Sequence, residues 1–230
     1  MMISIKALLN TPRRLKGREK GKRGFILANG PSISEYDLAV LKGEIVIGMN
    51  ASTILEESHG FVSTYYTISD SRFLKNPEKY GLGTARLNER TIRVLRAELE
   101  ALDDPGLGDR TFYVKALTRD GFSSNLANGY YYGCTTTMLA MQLAFHLGLV
   151  EVYLLGCDLR YSGIQPRFYE EKDVEIEDSF TSVQIMNIAR AASVMEASGV
   201  RVYGCSPRSF LRPYLRYKSF DDIYFGKKIY

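Results

Sequence analysis

Asn29, Asn50, Asp70 and Asp158 share one placement: each closes or directly follows a short apolar run, at 24–28, 44–50, 63–69 and 151–157. Amide and carboxylate groups in that position hold polar ligands by hydrogen bonds, and a carboxylate there is costly unless protein or ligand bonds it. The first of them opens the turn Asn29-Gly30-Pro31-Ser32. Gly30 permits close backbone approach or a positive φ. Pro31 fixes the turn, and Ser32 or Ser34 can cap the next helical segment. Free N–H groups at such a turn suit a phosphate. An ordinary strand–turn–helix cap has the same residues. No GK[ST] follows and the spacing is not GxGxxG, so this is neither a Walker A loop nor a dinucleotide fingerprint.

A second group begins at Gly133. Three consecutive threonines, Thr135, Thr136 and Thr137, open a strongly amphipathic helical segment. Their hydroxyls and the orphan N–H groups of the first turn form a cradle for a carboxylate or phosphate, although simple N-capping needs one threonine only. His146, late in that segment, reads as a packed histidine. A third group follows Asp158, where the loop carries Arg160, Tyr161, Arg167 and Tyr169. Arg and Tyr donors over a cleft suit stabilisation of a departing phosphate. The acidic run from Glu170 to Asp178 reads mostly as solvated surface but can supply a general base. Asp70 and Arg72 either touch ligand or pair locally.

The elements that must position these residues are set by periodicity. The runs 24–28, 44–50, 63–69, 111–117, 151–157 and 200–206 are short, rich in β-branched and aromatic residues, and apolar on both faces, as in a parallel sheet covered on both sides. Helical patterns lie at 35–42, 51–58, 88–102, 134–148 and 181–198, with a short one near 207–214. The stretches 75–87 and 158–180 lack regularity. The alternation predicts an α/β fold: a single Rossmann-like, doubly wound, mostly parallel sheet with helices on both faces, spanning 24–214, with a lid loop at 158–180. Ligands bind such sheets beyond the carboxyl ends of the strands. Residues 1–23 form a basic segment and 215–230 a basic, aromatic tail.

Composition excludes several classes. The 230 residues suffice for one sizeable α/β domain. No apolar run is long enough to span a bilayer and no secretory signal is evident, which predicts a cytoplasmic protein. Three separated cysteines, Cys134, Cys157 and Cys205, and two histidines, His59 and His146, argue for reduced thiols and no metal cluster. Residues 1–23 hold eight cations against one acid. Basic ends with interleaved apolar residues fit peripheral contact with an anionic membrane at the inner face, and equally a solvated tail plus a docked terminal helix.

Together these motifs resemble the small bacterial sialyltransferases that use CMP-N-acetylneuraminate. "ANGPS" is similar to their first-strand turn, Asn50 to the Asn closing their second strand, "TTTMLAMQLAFHLGLVEVYLLGCD" to their central helix and following Gly-x-Asp strand, and "VYGCSPRSFL" to their late strand. "SDSRFL" and "GCDLRYSG" resemble the related 6-hydroxymethylpterin diphosphokinase MptE-like proteins of surface-glycan biosynthesis. The resemblance implies a nucleotide and donor site at Asn29, Gly30, Pro31, Ser32, Asn50, Asp70, Thr135, Thr136 and Asp158. It implies that Tyr161 and Tyr169 assist the leaving phosphate, beside the loop's Arg160 and Arg167. The resembled enzymes use a loop histidine as base; the loop after Asp158 has none. That leaves a carboxylate, Asp173 or Asp178, a different reaction, or an inactive protein.

The function these readings predict is a metal-independent glycosyltransferase with no cofactor, taking a nucleotide-activated, CMP-linked acidic sugar to a glycan or glycolipid acceptor in surface-polysaccharide synthesis. Two alternatives stand beside it. One is an MptE-like pyrophosphokinase moving diphosphate from ATP to a hydroxymethylpterin-type acceptor, with Mg²⁺ on Asp70 and Asp158. The other is a non-catalytic binding module on a degenerate transferase fold. No nucleic acid partner is expected; self-association into a homo-oligomer is open.

Overall fold

The computed structural model describes residues 10–118, 120–161, 167–170 and 179–225. Among these, eight strands form one sheet: β1 Arg23–Leu27, β2 Ile45–Met49, β3 Tyr65–Ile68, β4 Ile92–Arg96, β5 Thr111–Val114, β8 Glu151–Leu155, β9 Arg201–Gly204 and β10 Arg216–Tyr217. Their order is β10-β9-β8-β1-β2-β3-β4-β5, and every pairing is parallel. The two short strands β6 Ala116–Leu117 and β7 Tyr130–Tyr131 pair separately.

Alternation within the strands builds a core on each face. Ile26, Ile47, Tyr65, Val94, Phe112, Val152 and Val202 point to one side, against the helices Thr136–Leu147 and Thr181–Ala197. Phe25, Leu27, Val46, Tyr153 and Leu155 point to the other, where Leu38 and Leu41 of a 3-10 turn, Leu55 of the helix Thr53–His59 and Phe220 of the helix Phe220–Tyr224 cover them. Tyr66, Ile68 and Leu95 extend that second layer with Leu99 and Leu107. Runs apolar on both faces are what a doubly covered parallel sheet requires.

Five elements differ from the periodicity reading; the run expected as one strand at 111–117 divides into β5 and the separately paired β6. The helix expected at 88–102 is instead β4 followed by a 3-10 turn, Ala97–Leu102. Thr91, Ile92 and Val94 favour extended backbone, and pairing with β3 and β5 on both edges outweighs the charged spacing that mimics a helix. The segment 35–42 forms two 3-10 turns, Pro31–Glu35 and Leu38–Leu41. Residues 207–214 form turns pinned by buried Leu211 rather than a helix. Within 75–87, Asn76 caps a helix, Pro77–Thr84, by accepting from the Lys79 N–H at 2.9 Å.

Both charged ends take part in the fold. Residues 12–21 wrap the end of the Thr136–Leu147 helix: Gly17, Glu19 and Gly21 donate backbone bonds to the carbonyls of His146, Leu147 and Gly148. Buried Glu19 accepts from the Tyr65 hydroxyl at 2.8 Å. At the other end β10 extends the sheet edge. Wrapped in this way, the Thr136–Leu147 helix is buried at all but one position, Phe145, as befits a helix apolar on every side. His146 belongs to this packing. Its Nε2–H faces the Pro12 carbonyl at 2.9 Å, and its Nδ1 accepts from the Leu126 N–H at 3.4 Å, so the ring is neutral. Burial pushes its pKa down, with Lys16 adding to the effect. A depressed folded-state pKa means that the unfolded chain binds the proton more readily. Stability is therefore full above the ordinary imidazole range and falls as pH drops through it. Urea midpoints measured across that range should show the loss, and His146→Gln should flatten it.

Candidate functional site

The chain leaves β1 toward β2 on one side and later returns to β8 on the other, so the strand order reverses between β1 and β8. Crevices form at such a switch point, beyond the carboxyl ends of the strands. Here a solvent-open cleft is lined by the ends of β1, β2 and β8 and by the start of the Thr136–Leu147 helix.

β1 and β8 keep pairing past their ends: Ala28 N–H bonds the Leu155 carbonyl at 2.9 Å and Gly30 N–H the Gly156 carbonyl at 2.7 Å. Asp158 then folds back under the turn. Its carboxylate accepts from the Ser32 N–H at 2.9 Å, from the Ser32 hydroxyl at 2.6 Å and from the Ser206 hydroxyl. The buried carboxylate is thereby supplied with donors. The contact requires glycine at 30, because a Cβ there would strike Asp158 and lie 2.5 Å from the Gly156 carbonyl oxygen. The amides of Gly30 and Ser32 are thus already engaged, and Pro31 has none. The sequence-based picture of free turn amides waiting for a phosphate is not what forms. The Asn-Gly-Pro-Ser turn is instead locked to Asp158, and it presents Asn29 to the cleft. Neither buried Ser32 nor exposed Pro31 lines the cleft.

Donors for an anion come from the next element. Gly133 and Cys134 both adopt positive φ, 54° and 58°, and turn the chain into the helix. Thr135 caps it by accepting from the Thr137 N–H at 3.3 Å, Thr136 accepts from the Ser69 hydroxyl at 3.1 Å, and Thr137 lies 3.9 Å from the sulfurs of Met49 and Cys157. The three threonines therefore do three different jobs, with the first turn of the helix opening on the cleft.

Cations close the opposite side. Arg72 pairs with Asp70 at 2.8 Å, Arg160 lies over the Phe210 ring at 5.2 Å and Arg167 over the Tyr161 ring at 5.0 Å. Asp70 is thus paired with Arg72, while Asp158 is hydrogen-bonded by serines. The Tyr161 hydroxyl donates to Gln184 Oε1 at 3.0 Å, and Gln184 Nε2 donates to the Cys134 carbonyl at 3.1 Å, which ties the start of the lid to the turn before the helix. Phe168 N–H bonds the Asn29 carbonyl at 3.1 Å.

Two acceptors on the cleft wall have no partner among the described residues: the buried Oδ1 atoms of Asn29 and Asn50. Asn29 Nδ2 reaches the Met49 carbonyl at 3.3 Å, which fixes the amide with its oxygen unspent. Asn50 holds a positive φ of 50°. Buried polar atoms are rarely left unpaired unless a ligand or water supplies the donor.

The structure thus brings Asn29, Gly30, Asn50, Asp70, Thr135, Thr136, Asp158, Arg160, Tyr161 and Arg167 to one cleft. Tyr169 packs edge-on against Phe168 at 5.1 Å and is not on its wall. Asp173 and Asp178 lie outside the described residues, as does most of the lid between them and Asp158. Tyr132, Cys134 and Gln184 line the cleft without having been singled out by motif. Burial raises the Tyr132 pKa, so its hydroxyl stays protonated. Gln184 left one readable trace: a polar residue on the buried stripe 184, 188, 191 and 195 of an apolar helix.

Magnesium, which the pyrophosphokinase alternative places on Asp70 and Asp158, does not fit these donors. Asp70 is held by Arg72 and Asp158 by three hydrogen bonds.

No protein-family model and no curated protein matches the sequence. Solved structures match the fold. The MAf glycosyltransferase from Magnetospirillum magneticum AMB-1 superposes with a TM-score of 0.55 at 17% identity, over 91% of this chain and 37% of that one. This chain therefore spans little more than a third of that protein. The sialyltransferase CstII from Campylobacter jejuni, in complex with the substrate analogue cytidine-5'-monophosphate, superposes with a TM-score of 0.53 at 14% identity, over 86% of this chain and 85% of that one. The chain has a glycosyltransferase-like α/β fold.

Proposed function

We propose that the protein is a glycosyltransferase that takes a nucleotide-activated sugar, a CMP-linked acidic sugar, to a glycan or glycolipid acceptor in surface-polysaccharide synthesis at the cytoplasmic side of the membrane. One observation carries this reading: a single cleft pairs unspent acceptors, Asn29 Oδ1 and Asn50 Oδ1, with a helix N-terminus and three arginines. A ligand that satisfies both halves carries hydrogen-bond donors on one part and negative charge on another. A nucleotide linked to an acidic sugar has that composition. The CMP bound by the structural neighbour CstII is the nucleotide part of such a ligand.

In this reading Asn29 and Asn50 accept from hydroxyl or amino groups of the nucleoside. The first turn of the Thr136–Leu147 helix receives the sugar carboxylate. Arg160, Arg167 and Tyr161 face the phosphate. The acceptor oxygen attacks the anomeric carbon as the bond from that carbon to the phosphate oxygen breaks. The acceptor's proton passes to a base, assigned to Asp178 or Asp173, while the cationic side of the cleft stabilises the departing phosphate. No step requires a metal.

Calorimetry with CMP, UDP and ATP, each with and without Mg²⁺, tests the reading. CMP should bind without metal and more tightly than the other two. Preference for ATP that depends on Mg²⁺ would replace this reading with diphosphate transfer, and binding of none would leave the binding-module alternative.

A further inference from the structure

We infer that the face around residues 206–218, beside the cleft mouth, docks on an anionic phospholipid bilayer. Docking there would put the acceptor at a membrane, and in that respect it rests on the transferase reading, but its evidence is separate. From 197 to 220 the chain has five cations, Arg201, Arg208, Arg212, Arg216 and Lys218, and no acid. The loop within this stretch is rigidly seated. The Ser209 hydroxyl donates to the Cys157 carbonyl at 2.6 Å, and Phe210 N–H to the Asp158 carbonyl at 3.0 Å. Leu211 and Leu215 are buried below.

Against those anchors the loop holds two large apolar side chains outward, Phe210 at 42% and Tyr214 at 60% exposure. Arg160, which lines the cleft, sits over Phe210, so this surface is continuous with the mouth. Glu35 and Glu196 pair with Arg208 and Arg216, and among the described residues Arg212 and Arg160 have no carboxylate partner. Exposed aromatics among arginines suit the headgroup layer of a bilayer containing acidic lipid, where rings enter the interface and cations meet phosphates. A single-stranded nucleic acid is the poorer fit. It stacks bases on open ring faces, whereas Phe210 is overlaid by Arg160 and Tyr217 by Arg212 at 4.3 Å.

Co-sedimentation of the full chain tests this, using vesicles of phosphatidylcholine alone or mixed with phosphatidylglycerol, without nucleotide. The protein should bind the mixed vesicles, not the neutral ones, and release as salt rises. Tyr214→Ser and Arg212→Glu together should weaken partitioning about tenfold or more, with melting temperature and CMP binding unchanged. Equal binding to both vesicles, no binding, or full binding by the double variant would overturn the assignment. So would oligonucleotide binding that the same variant abolishes. Because CMP binding is read separately, loss of the membrane assignment leaves the transferase reading standing, and the reverse holds.

Discussion

Asp158→Ala should lower stability by about 4 kcal/mol and abolish nucleotide binding, although its carboxylate is engaged by Ser32 and Ser206. The substitution strips the acceptor from the Ser32 N–H, the Ser32 hydroxyl and the Ser206 hydroxyl at once. Hydrogen bonds to a charged group contribute about 1.5–3 kcal/mol each, and buried donors left unmet cost their desolvation. The loss is less than additive because Ser206 and Ser32 can turn toward one another. A fall of about 4 kcal/mol corresponds to about 10 °C in melting temperature for a chain of this size. Ser206→Ala removes one donor and leaves the acceptor in use, so it should cost only about 1 kcal/mol. Gly30→Ala reaches the same endpoint from the other direction: the new methyl displaces Asp158 and the Gly156 carbonyl. Thermal melts and calorimetry on the three variants check the ordering. An Asp158→Ala protein that melts within a degree or two of wild type, or still binds CMP, would remove Asp158 from its role in positioning the turn.

That role also shows where sequence reading succeeds and where it stops. Asn29, Asn50, Asp70 and Asp158 are recognisable as strand-end residues because each adjoins a local apolar run, and burial on both faces marks those runs without knowledge of partners. The strand order is not readable. Nothing local says that β8 lies beside β1, so the lock between Ser32 and Asp158, 126 positions apart, is invisible. Without it, the turn's amides look free. β4 fails for the related reason that its extended form depends on two neighbours from elsewhere in the chain. Gln184 is intermediate. Its helix is evident from spacing, but its meaning comes from Tyr161 and Cys134, which topology alone brings to it.

Asn50→Gly should separate binding from stability more sharply than any other single change. Asn50 sits at a φ of 50°, a left-handed conformation that glycine adopts without strain and other residues adopt at a cost of about 1–2 kcal/mol. Glycine also increases the freedom of the unfolded chain, which offsets most of that gain, so stability should stay within about 1 kcal/mol of wild type. The Asn50 carbonyl, which accepts from the Tyr66 hydroxyl at 2.6 Å, is backbone and survives the substitution. What disappears is Oδ1, a buried acceptor with no partner among the described residues. If a nucleotide supplies its donor, CMP affinity should fall by about tenfold to a hundredfold, the equivalent of about 1.4–2.8 kcal/mol. Asn50→Ala loses the same atom but keeps the strain, so it should match the binding loss and be less stable. Equal CMP affinity in wild type and Asn50→Gly would mean that the orphan oxygen faces water rather than ligand. The nucleotide would then have to be held by the helix N-terminus and the arginines alone, and a bare inorganic anion should compete with it on nearly equal terms.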